Sequence, residues 1–187
     1  NLVAVGDSAL LNNGVGAATS VQSINNTAIG SKALYTNNLG SYNTAIGYNA
    51  LLANTSGTQN TATGVDALHF NSIGILNAAH GINALFLNTT GSFNTANGAN
   101  SLVNNTIGIN NTANGFNALF NNTSGNGNNA LGYFALSANQ SGNENVAAGL
   151  NAMRSNTFVA NNVAIGSNTL FTNQLGNNLV AIGDSAL

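Results

Sequence analysis

Residues 43–59 read NTAIGYNALLANTSGTQ, and residues 60–76 read NTATGVDALHFNSIGIL. Laid over each other, the two stretches coincide at Asn, Thr, Ala, Gly, Ala, Leu, Asn and Gly. Working outward from this pair, the glycine of an Ala-x-Gly motif recurs at Gly6, Gly30, Gly47, Gly64, Gly81, Gly98, Gly115, Gly132, Gly149, Gly166 and Gly183. From Gly30 onward every interval is 17 residues; the first, from Gly6 to Gly30, is 24, which is 17 plus 7. The consensus is N-T-A-I-G-x-N-A-L-x-x-N-x-x-G-x-x. A fixed period running through the whole chain decides the architecture before any single residue does.

Aligned on the marking glycine, the repeat resolves into columns. Two residues before it stands Ala without exception: Ala4, then a candidate core column of Ala28, Ala45, Ala62, Ala79, Ala96, Ala113, Ala130, Ala147, Ala164 and Ala181. Four after it stands a candidate Leu core column, Leu34, Leu51, Leu68, Leu85, Leu102, Leu119, Leu136 and Leu170, flanked by Leu10 and Leu187 and interrupted only by Met153. Seven after it stands Asn in every complete coil: Asn13, Asn37, Asn54, Asn71, Asn88, Asn105, Asn122, Asn139, Asn156 and Asn173. Ten after it stands a second Gly, except at Val159.

A unit of 17 residues is too short for a helix pair, since helical repeats run from about 33 residues upward. Fully extended it spans at most about 60 Å, which suits one coil of a β-solenoid with two or three short strands and tight turns. The predicted fold is therefore an all-β solenoid, a β-roll or β-helix of about eleven coils. Coils stacking at about 4.8 Å per layer would make a rod about 50 Å long. The invariant Asn fits that geometry, because identical amides in register can donate to one neighbour and accept from the other as an Asn ladder. Asn also tolerates the left-handed conformation of tight turns. The chain contains no Pro, which would remove a ladder donor.

Strand residues alternate between two faces. The Ala and the marking Gly share one face, and their smallness predicts a narrow interior where two sheets approach closely. The residue between them is often apolar as well, as at Val5, Ile29, Ile46, Leu131, Ile165 and Ile182. The residue following the Leu behaves similarly, as at Leu11, Tyr35, Phe86 and Phe120. Adjacent apolar columns mean that both faces of a strand are covered. Two arrangements satisfy that: lateral oligomerisation along the rod, with a homotrimer the leading case, or a wider three-sided coil that buries both columns within one chain. An apolar stripe along a whole rod exceeds what a soluble monomer tolerates, which argues for the oligomer.

The seven extra residues lie within 17–25 and read as a surface bulge at a turn, which solenoids accommodate; a recognition loop is the alternative. The chain reads as one elongated domain over 1–187 and as a piece of a longer fibre, with uncapped terminal coils open to end-to-end pairing. The segments Val3–Leu10 and Val180–Leu187 differ only at Val5 and Ile182, so a higher-order repeat of 177 residues is one reading and a preferred coil variant the other.

Composition narrows the chemistry. Only 3% of residues are charged, Lys32 and Arg154 against Asp7, Asp66, Asp184 and Glu144, while Asn contributes 40 and Gly 22 of the 187. Two cations cannot make a nucleic-acid footprint. No Cys is present, so disulfides and thiolate sites are excluded. No run of about 18 apolar residues offers a helical membrane span. General acid–base catalysis needs titratable groups brought close, and the acids are scattered; a metal site from Asp66, His69 and His80 is conceivable, but decoration of variable columns accounts for them better. No catalytic, cofactor or metal residues are assigned. Sequons such as those at Asn54, Asn88 and Asn122 follow from an Asn- and Thr-rich composition. An ice-binding face of regular Thr is a further possibility, from Thr27, Thr44, Thr61, Thr95 and Thr112 or from Thr55, Thr89, Thr106, Thr123 and Thr157, although the first column degrades to Asn129, Val146 and Val163.

The coils NNVAIGSNTL, NLVAIGDSAL and ENVAAGLNAM resemble the V-A-I-G-x-x-A repeats in the heads of trimeric autotransporter adhesins, and the N-T-A-I-G form is similar to repeats of long bacterial and phage surface fibres. The resemblance covers the whole chain, with a period of 17 in place of the adhesin roll's approximately 14. It implies a trimeric β-roll on a cell surface, a shaft or head segment of an extracellular fibre that supplies rigidity and display area, and no catalytic residues. The expected partners are further copies of the chain and a host or neighbouring cell surface. A self-assembling extracellular filament subunit with no specific ligand is the alternative function.

Overall fold

The computed structural model describes residues 1–20 and 22–187; Val21, within the insertion, lies outside them. The chain is an all-β solenoid, with no helix among the described residues. Each coil contributes one strand, from β1 (Leu2–Val5) and β2 (Asn26–Ile29) through nine three-residue strands to β11 (Val180–Ile182). They join in chain order into a single eleven-stranded parallel sheet. The repeat sets the register: Ala28 pairs with Ala45, Ala45 with Ala62 and Ala164 with Ala181. Seventeen residues along the chain are thus one step of about 4.8 Å across the sheet.

The expectation of two or three strands per coil is corrected to one. The reason is backbone conformation: Asn49 and Leu51 take φ of 55° and 51°, and the same two columns are left-handed in every coil. A strand cannot continue through residues that turn the chain this way. The turns nevertheless stack as tightly as the strands. Thr44 N–H donates to the Asn60 carbonyl at 2.8 Å, Gly47 N–H to Ile29 at 2.8 Å, Leu51 N–H to Ala67 at 2.9 Å and Ala53 N–H to His69 at 2.9 Å. The main chain is therefore bonded to the coils above and below around most of its circumference, as buried backbone must be.

These dihedrals explain two columns. Two after the mark, Asn appears at Asn49, Asn83, Asn100, Asn117, Asn151 and Asn168, because Asn accepts the left-handed region readily. Four after the mark, the residue is Leu or Met and never Val or Ile, because a β-branched side chain at positive φ is a genuine outlier. The Leu column belongs to this turn and not to a second strand.

The interior is also not a meeting of two sheets. The Ala column of the single sheet, a second Ala three after the mark and the turn-borne Leu form one continuous core. Each fully buried Leu contributes about 1.5–3 kcal/mol. The marking Gly serves the main chain. Gly64 has φ +137°, and a Cβ there would stand 2.6 Å from the Gly81 carbonyl oxygen. The residue before the mark points outward: Ile46 is 38%, Leu131 58% and Ile182 68% exposed. A wide coil that buries both columns within one chain is thereby overturned, because only one face of each strand meets the interior.

Of the insertion, residues 17–20 and 22–25 are described. Residues 17–20 are exposed, and the column pattern resumes at Ser23, whose carbonyl accepts Asn13 Nδ2 at 2.9 Å as Gly40 accepts Asn37 Nδ2 at 2.7 Å.

Candidate functional site

The polar half of the interior is built from amides. Asn54 Nδ2 donates to Asn37 Oδ1 at 2.7 Å and to the carbonyl of Gly57, three residues on in its own coil, at 2.9 Å. The same pair of bonds recurs at Asn71, Asn88, Asn105, Asn122 and Asn139. Both positions are packed against the second Gly: a Cβ on Gly57 would lie 2.5 Å from the Gly74 carbonyl oxygen and 2.6 Å from Asn71 Nδ2. That column is glycine for lack of space, since the neighbouring amides already fill it.

A second amide column faces the first and was not singled out from sequence. Asn26, Asn43, Asn60, Asn77, Asn94, Asn111, Asn128, Asn145 and Asn162 begin the consensus and are all buried. Asn43 Oδ1 accepts the backbone N–H of Asn60 at 3.0 Å, and Asn43 Nδ2 reaches the Gly57 carbonyl at 2.9 Å. The second-Gly carbonyls from Gly40 to Gly142, and that of Gly176, thus each take two amides, one from each column. The signal was in plain view as nine Asn at a spacing of 17; it was masked because Asn also reads as a turn residue just before a strand. A third ladder uses hydroxyls: Thr55 Oγ1 donates to the Ser72 carbonyl at 2.8 Å, and Thr89 and Thr106 donate likewise to the next coil at 2.9 Å. Buried polar groups so paired rigidify a structure, where unpaired ones would destabilise it.

The first ladder does not run its whole length. Asn156 is fully buried, yet neither its Nδ2 nor its Oδ1 has a partner, and Asn139 Oδ1 is also left without a donor. Asn173 turns its Nδ2 to its own Gly176 carbonyl at 2.7 Å.

Outside, the residue following the mark supplies an apolar column that sequence reasoning also missed: Tyr48, Val65, Ile82, Phe116, Tyr133 and Leu150, all exposed. Phe116 and Tyr133 stack with ring centroids 5.4 Å apart at 16°. With Ile29, Ile46, Leu131 and Ile165 on the other side of the mark, it forms a discontinuous apolar stripe along one corner of the rod.

Titratable groups do not converge. Asp66 Oδ1 lies 2.9 Å from His69 Nδ1 and accepts Asn49 Nδ2 at 3.0 Å, but His80 stands on the outward face of its strand and joins neither. No group of three or more His, Cys, Asp or Glu able to hold a metal occurs among the described residues. The shallow groove beside the insertion, formed by Gln22, Leu39, Ser41, Tyr42, Thr58 and Gln59, carries no charged side chain. The sequon asparagines Asn54, Asn88 and Asn122 are buried ladder members, closed to glycan attachment in the folded rod. No helix among the described residues is long and apolar enough to cross a membrane. A scan against protein-family models, and comparisons with curated proteins and with solved structures, return no match.

Proposed function

We propose that this chain is a non-enzymatic structural segment, the shaft or head of an extracellular fibre or adhesin, which works by being a stiff rod with a surface for lateral partners. The observation that carries the reading is the bonding between coils: two amide columns and the main chain link successive layers around the circumference. A solenoid bonded in this way couples each repeat to its neighbours, and a load along the axis is shared among many parallel bonds. The similarity of the V-A-I-G coils to trimeric adhesin repeats supports the same reading, and the apolar corner stripe supplies a surface for further copies of the chain in a homotrimer.

The alternative is a self-assembling filament subunit with no specific ligand. Electron microscopy over a concentration series separates the two. Rods of constant length and width support the shaft; rods that lengthen with concentration support the filament. A glycan array then tests display function, and absence of binding to any cell surface or glycan would remove the adhesive role. The ice-binding reading has less support, because Thr55, Thr89, Thr106 and Thr123 spend their hydroxyl hydrogens on carbonyls of the next coil. A thermal-hysteresis assay would restore it.

A further inference from the structure

We infer that the coil containing Asn156 and Val159 is a built-in yield point, where the rod opens locally before the coils before it. The inference rests on hydrogen bonding and not on the fibre reading. Side-chain amides pass from Asn13 to Asn37 and on to Asn139 without a gap, and the sequence of bonds stops there. One substitution accounts for the break. Val159 occupies the column that is otherwise glycine from Gly40 to Gly142 and again at Gly176. At Gly91 a Cβ would lie 2.5 Å from the Gly108 carbonyl oxygen and 2.7 Å from Asn105 Nδ2, and closer still to Asn88 Oδ1. Val159 is 3% exposed, so its side chain takes interior space that the Asn156 amide would otherwise share. Three buried polar atoms are orphaned as a result.

A buried amide with no partner favours any opening that admits water, and local opening starts where bonding is weakest. The break is partial. The second amide column crosses it intact, with Asn145 Nδ2 donating to the Val159 carbonyl at 2.8 Å and Asn162 Nδ2 to Asn145 Oδ1 at 3.3 Å. The rod therefore remains one body at rest and yields here first under heat or load.

Hydrogen exchange on the native chain tests this. Met153 and Ser155 N–H donate to the next coil and Asn156 N–H to Met153; their counterparts four coils earlier are Leu85, Leu87 and Asn88. The expected result is at least tenfold lower protection at 153–156 than at 85–88. Val159→Gly should bring the two sets together, and Gly91→Val should create a second fast-exchanging coil at 85–88. Equal protection in the native chain overturns the proposal. So does a contrast that survives Val159→Gly, because fraying from the C-terminal coils would then be its cause. If Gly91→Val fails to fold, the native contrast and Val159→Gly still decide.

Discussion

Asn88 Nδ2 lies 2.8 Å from Asn71 Oδ1, and Asn88 Oδ1 in turn accepts Asn105 Nδ2 at 2.8 Å. One fully buried amide is thus both donor and acceptor between layers. Asn88→Ala strands the Asn71 oxygen and an Asn105 donor in the interior. The expected loss is about 2–4 kcal/mol, in line with the cost of leaving buried groups unsatisfied. Asn104, whose amide bonds Asn121 at the surface, is the control, and Asn104→Ala should cost no more than about 0.5 kcal/mol. Urea unfolding measures both; equal losses would mean that the ladder contributes little.

Leu85 is fully buried at φ 54°. Leu85→Met should cost less than about 1.5 kcal/mol, since volume is conserved and Met153 already holds the same column at φ 51°. Leu85→Ile conserves volume too, yet places a β-branched side chain in the left-handed region, and should cost about 1–3 kcal/mol more. Thermal unfolding of the two variants gives the order; Ile equal to Met would contradict the conformational account of this column.

Gly64→Ala puts a methyl group against the Gly81 carbonyl at φ +137°. Strain and overlap act together here, so the loss should exceed the roughly 1 kcal/mol of a compatible Gly→Ala change and have the opposite sign. Circular dichroism melts check this. A variant as stable as the parent would show that the stacking is looser than these distances imply.

Few groups titrate: four acids and two His in 187 residues, with the 2.9 Å contact between Asp66 and His69 the one acid–base contact among the described residues. Stability therefore has little to gain or lose by proton linkage, and little for salt to screen. The melting temperature should move by only a few degrees between pH 4 and 9 and between low and high salt, as followed by calorimetry. A strong dependence would place an unrecognised charged interaction in the rod.

The period, the parallel β-solenoid and the Asn column could be read from sequence because identity at a fixed spacing survives any ambiguity about local conformation. The content of the interior was less legible. Alternation of small and apolar residues around Gly64 suggested a strand buried on both faces, but the same letters arise when Gly answers a main-chain requirement and Ile46 faces out. Leu51 was placed on a strand for the same reason: its left-handed φ leaves a trace only in the absence of Val and Ile from its column. Asn60 was not singled out, although its column repeats at 17 like the first and forms a second ladder. Val159 stood out as an exception, but its consequence for Asn156 needed the third dimension.

Bonding between coils makes the rod stiff; lateral association through the corner stripe is the claim that makes it a fibre of several chains, and light scattering on the native chain over a concentration series tests that claim most directly. The account predicts a mass of three chains that does not change with concentration, and a shift toward one chain in Phe116→Ser/Tyr133→Ser, whose exposed rings leave the core untouched. A mass of one chain at every concentration would contradict it.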